Sequence, residues 1–160
     1  MLRRWLLLSH MISNIYLLGI IWFIQCIHYP LLSGIGTIVE PAMFKEYTHY
    51  FTIQPLLIAG IPMLIDFIST IILFWRQPPP IQTSLYKLSG ILLGIIWGLL
   101  IFEFFVHQIL SQGYHVTAYR FLQIANWAIT ILWSIKSILS IIFVKKLIHS
   151  LHSSHPPSSK

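Results

Sequence analysis

Four apolar runs leave this chain few folds to choose from. Residues 5–28, 51–75, 87–110 and 122–144 each reach the length of about 20 residues that a helix needs to cross a bilayer, at about 1.5 Å rise per residue. The rest of the composition agrees. The chain is 56% hydrophobic and 9% charged, where soluble domains carry about 25% charged residues. So much apolar surface cannot all enter the core of a 160-residue chain, because a domain of that size leaves much of its surface outside. The surface itself is then apolar and its solvent is lipid. The expected fold is all-α, an integral membrane antiparallel four-helix bundle in one domain over 1–146. The polar, Pro/Ser-rich segment 147–160 is expected to be a disordered cytoplasmic tail.

The net charge of +6 does not point to nucleic acid. The basic residues lie mostly at the ends of apolar runs, which is membrane anchoring rather than phosphate tracking. Arg3, Arg4, Arg76, Lys87, Lys145, Lys146 and Lys160 fall on one side, and only Lys45 and Arg120 on the other. The positive-inside rule therefore puts both termini in the cytoplasm. The basic start and apolar run resemble a signal peptide, but no small-x-small cleavage site follows, and a retained first span is expected. Cys26 is the single cysteine. It allows no intrachain disulfide, says nothing of the redox compartment, and reads as a small packed hydrophobe.

Between the spans lie a first loop (29–50), a Pro-rich turn (76–84) and a short connection (111–120). The proline in "IHYP" is expected to end the first helix. The first loop is apolar, and "PAMFKEYTHYF" reads as a short interfacial helix, either a lid over a pocket or an aromatic belt. Pro55 and Pro62 predict a kink in the second span. Gly90, Gly94 and Gly98, spaced by four, predict a small-residue stripe against which a neighbouring backbone packs.

A charge at the centre of a span costs about 2.5–3.5 kcal/mol on insertion scales, so each one needs a reason. Asp66 and Lys136 each lie nine residues from the inner end of their span, at Trp75 and Lys145. Their shared depth predicts an ion pair between the second and fourth spans, read as fixing helix register and alternatively as part of a proton or ion path.

The outer end is richer. Asn14, Leu18, Ile21, Gln25 and His28 form one stripe on the first helix, and "EFFVH" places Glu103 and His107 one turn apart on one face of the third. Gln25, His28, Tyr29, Glu103, His107 and Asn126 thus share a depth band, with Arg120 just before Asn126 at the outer side. Two histidines and a carboxylate suit iron or zinc, and two histidines on separate helices suit haem. The metal candidates are His28, Glu103 and His107. The catalytic candidates are Glu103 and His107, as acid and base toward a quinone-like substrate. Gln25, Tyr29 and Asn126 would orient such a substrate, with Arg120 as a positive rim. The bland alternative is a hydrogen-bonded interfacial network. His10 and Asn14 read as a satisfied polar pair, and His149, His152 and His155 as a solvated tail rather than loose metal ligands.

In "IQCIHYPL", "PMLIDF", "FFVHQILSQGYH" and "RFLQIANWAITILW" the chain resembles a family of small, uncharacterised bacterial four-span membrane proteins. It is also faintly similar to the anthrone-oxygenase-like membrane family. The first resemblance implies a bacterial cytoplasmic (inner) membrane, and neither maps a catalytic residue onto this chain.

The expected function is a non-enzymatic accessory or assembly protein with a polar cluster near the outer leaflet. Its partners would be the lipid bilayer, a membrane protein or a second copy, and a lipophilic small molecule. The alternative is a metal- or haem-dependent oxidoreductase or oxygenase acting on a lipophilic substrate such as a quinone. A transporter using Asp66 and Lys136 lacks the inverted repeats or broken helices that would support it.

Overall fold

The computed structural model describes residues 2–77, 79 and 81–153, and every regular element among them is helical. Helix α1 spans Leu2–Phe23 and passes through a π turn at Ile24–His28 into α2, Tyr29–Ile38. Helix α3 spans Pro41–Arg76, α4 Thr83–Leu110 and α5 Val116–Ser153. Four stretches are long and apolar enough to cross a membrane: Arg4–Ile38, Leu57–Arg76, Thr83–Leu110 and Val116–Ser150.

The first loop departs from expectation. Pro30 does not end the helix; it sits at the start of α2, and the chain stays helical to Ile38. A proline ring inside a regular α-helix clashes with the carbonyl four residues back, here that of Cys26, and brings no N–H. The π turn answers this by widening the helix just before Pro30, with the Tyr29 N–H donating to the Ile24 carbonyl, five residues back. The segment expected as a separate interfacial helix is instead the first part of α3, and the helical assignment runs unbroken through Pro62. Helix α5 likewise continues to Ser153, past the boundary expected at 146. His155 and the rest of 154–160 lie outside the described residues.

Helices α1 and α5, α4 and α5, α1 and α3, and α3 and α4 pack side by side. Contacts at rising residue number along α1, the π turn and α2 meet α5 at falling number: Asn14 with Lys136, Gln25 with Asn126, then Tyr29 with Tyr119. Three buried clusters fill the interior. The first gathers Leu7, Leu73, Tyr86, Leu139 and Phe143, the second Leu17, Ile21, Ile96, Ile129 and Trp133, and the third Tyr29, Leu32, Phe44, Leu110 and Leu122. Outward-facing positions carry Ile, Leu, Phe and Trp in large number, among them Trp5, Leu57, Ile61, Trp75 and Ile124.

The glycine stripe is narrower than its spacing predicts. A Cβ at Gly90 would overlap the Phe74 ring, whereas one at Gly94 or Gly98 would meet nothing within 4 Å. Close approach therefore happens at one position, and to a side chain rather than a backbone. Cys26 is exposed, not packed: on the π turn Gln25 and His28 are buried while Cys26 points outward.

Candidate functional site

Two polar centres lie inside the helices. The first surrounds Asp66. Lys136 Nζ, fully buried, donates to Asp66 Oδ1 at 2.5 Å, to Thr70 Oγ1 at 3.1 Å and to Asn14 Oδ1 at 3.3 Å. An ammonium has three N–H bonds, and these are three acceptors for them. Asn14 Nδ2 donates to the same Asp66 oxygen at 2.6 Å and to the His10 carbonyl at 2.7 Å. His10 Nδ1 lies 3.3 Å from Asp66 Oδ1 and 3.1 Å from Ser69 Oγ. The ion pair thus extends over three helices, and its members on α1 and α3 keep the helical spacing of three and four residues.

The second centre begins one helical turn further along. Leu17, Met63 and Trp133, each three residues from Asn14, Asp66 and Lys136, help to line a cavity of about 510 Å³ between α1, α3, α4 and α5. Its walls are mostly apolar, including Ile21, Trp97, Leu100 and Phe104, and its polar lining comes from His28, Tyr29, Glu103, His107, Asn126 and Trp133. Glu103 and His107 share a wall because they lie four apart on α4. His28, Tyr29 and His107 form a row of rings, with centroids 5.7 Å apart for the first pair and 6.2 Å for the second. Asn126 Nδ2 donates to Gln25 Oε1 at 2.6 Å, which ties α5 to the π turn behind the cavity wall.

Three lining residues carry buried polar atoms that find no hydrogen-bond partner among the described residues: Glu103 Oε1, Asn126 Oδ1 and Trp133 Nε1. Leaving such a group unpaired costs about 1–3 kcal/mol. Together they put two acceptors and a donor on residues that line one greasy cavity. A molecule with an apolar body and a polar end bearing both kinds of group would answer them.

Several site residues expected from sequence take other roles. Arg120 is exposed at the start of α5 and does not line the cavity, and Gln25 stands behind its wall. His28, Glu103 and His107 share the cavity, but among the described residues no three His, Cys, Asp or Glu groups converge as metal ligands do. The three-ligand iron and zinc reading therefore draws no support from this geometry. Sequence reasoning missed Trp133, Met63 and Gly60 as lining residues. Trp133 had left a trace, since a tryptophan far inside a span buries an indole N–H that needs an acceptor. Comparison with known families, characterised proteins and solved structures finds no match to this chain.

Proposed function

We propose that this chain is an integral membrane protein of four antiparallel spans, both termini cytoplasmic, that binds a lipophilic small molecule with a hydrogen-bonding head. Four long apolar helices with outward-facing Ile, Leu, Phe and Trp support the membrane reading. The basic residues clustered near Arg4, Arg76, Lys87 and Lys145 support the orientation. The resemblance noted above suggests a bacterial cytoplasmic membrane.

One observation carries the binding reading: three unpaired buried polar atoms on residues lining one apolar cavity. Ligand sites combine an apolar lining with a few placed polar groups, and this cavity falls in the usual range of about 300–1,000 Å³. Glu103 and Asn126 would take the head of the ligand, and the Trp133 N–H would donate to a second oxygen. Hydroquinones, whose hydroxyls on a flat apolar ring both donate and accept, fit that pattern, and the oxidised quinones answer its Trp133 donor. Holding such a molecule suits an accessory protein. Glu103 and His107 on one wall would also allow proton exchange with the head.

The test is to purify the protein in mild detergent, extract it with organic solvent and identify what is released by mass spectrometry. Wild type is expected to carry a lipophilic molecule near one per chain, and Asn126→Leu and Glu103→Leu to carry at most about a tenth as much. Equal content in all three, or none in wild type, would remove the reading. Metal analysis and a visible spectrum on the same samples test the redox alternative.

A further inference from the structure

The main cavity has a neighbour. A second cavity of about 250 Å³ lies on the seam between α1 and α3, bounded by Gly19, Phe23, Gln54 and Ile58. It shares Ile20, Ile24 and His28 with the main cavity. Two of these, Ile24 and His28, are the first and last residues of the π turn. The wall between the cavities is thus built on the irregular turn that Pro30 demands. Such turns recur at functional sites because they aim side chains that a regular helix would aim elsewhere.

The second cavity differs from the first in chemistry. Apart from His28 and Gln54 its boundary is apolar, and a Cβ at Gly19 would meet nothing within 4 Å. Phe23 and Ile58 are exposed, so the seam faces the surroundings of the helices, which in the reading above is lipid. A compact ring would use only the main cavity, which all three residues with unpaired atoms line. A space this apolar, next door and open at the seam, suits a hydrocarbon chain leaving the ring.

We infer that the ligand is a long-tailed amphiphile whose head occupies the main cavity and whose hydrocarbon chain crosses Ile20 and Ile24 at the π turn to lie in the α1–α3 seam. The inference rests on the binding reading above and narrows its ligand class from any lipophilic ring to one bearing a flexible chain. The seam is also the entry route, because a chain already in the bilayer can slide in without leaving lipid.

The experiment compares tetramethylbenzoquinone with a decyl-substituted benzoquinone, each as the quinone and as its hydroquinone. Binding to the full-length protein in lipid nanodiscs is read from quenching of tryptophan emission, Trp97 and Trp133 lining the main cavity. The decyl compound is expected to bind wild type at least about fivefold more tightly, through dispersion contacts of the chain. In Gly19→Leu and Ile58→Phe, each filling the seam from one side, that ratio should fall to about one while the tailless ring binds as before. A ratio near one in wild type overturns the inference and leaves the binding reading standing. So does a ratio that survives both substitutions. If neither compound binds wild type in either form, the binding reading falls and takes the inference with it.

Discussion

The interior has two polar centres, the ion pair around Asp66 and a cavity that begins one helical turn beyond it, and they are built on opposite terms. Around Asp66 the side chains answer one another: the Lys136 ammonium meets three acceptors, and Asn14 bridges three partners. Two atoms there, Asp66 Oδ2 and His10 Nε2, lack a partner among the described residues, but neither residue lines either of the two cavities. Around Glu103 the unpaired atoms belong to residues of the cavity lining. Burial alone therefore does not mark a site, because both centres are buried. What separates them is the space beside them. Around Asp66 the polar groups join packed helices; around Glu103 they belong to residues that line a cavity, where the proposed ligand would be their partner.

The sharpest way to break this contrast is at the ion pair. Removing one partner of a buried pair leaves an uncompensated charge, so Asp66→Asn or Lys136→Met should each cost about 3–5 kcal/mol of stability. The double variant should cost far less than the two losses added together. Thermal unfolding in mild detergent checks this, and melting points unchanged in all three variants would mean that the pair joins nothing.

Packing gives the next effect. Phe74 closes on Gly90 in the part of the interior that also holds Leu7, Leu73, Tyr86 and Phe143. Gly90→Ala should cost about 1–3 kcal/mol by overpacking. Gly94→Ala, where a Cβ meets nothing, serves as its control and should cost nothing. If both variants melt together, the close approach at Gly90 is not a packing constraint.

The smallest effect has the opposite sign. Glu103→Leu removes a buried acceptor that has no partner, and should raise the stability of ligand-free protein by about 1 kcal/mol. The same change made at Asp66 should lower it. A destabilised Glu103→Leu would show that Glu103 has a structural partner after all, and would erase the distinction between the two centres.

Much of the fold was legible because hydropathy is a local property: the four long apolar helices can be counted along the chain. Their ends were less legible. "IHYP" reads as a stop because proline breaks a regular helix, yet a π turn absorbs it, and whether a chain spends a residue that way depends on what packs around it. Asp66 and Lys136 were matched by counting residues from the helix ends, which works because helical rise is constant. Cys26 misled for a related reason: in an apolar run every residue looks buried, and only helix rotation tells inward from outward. Glu103 and His107 were grouped by their spacing, and Arg120 and Gln25 by depth alone. Depth does not specify direction, so Arg120 points away and Gln25 stands behind the wall.

By itself the sequence determined that the chain is helical, that four of its stretches can span lipid, and that a few polar groups must sit among them at calculable depths. Each of those follows from composition and from the constant rise of one helix. Only the tertiary structure decided which polar groups meet a partner and which face empty space. That depends on how helices rotate and pack against each other, and no single helix carries that information. Lys136 finds three acceptors because α1, α3 and α5 turn the right faces together. Glu103, Asn126 and Trp133 keep atoms without a partner among the described residues where, from one turn further on, the same helices and α4 enclose a cavity.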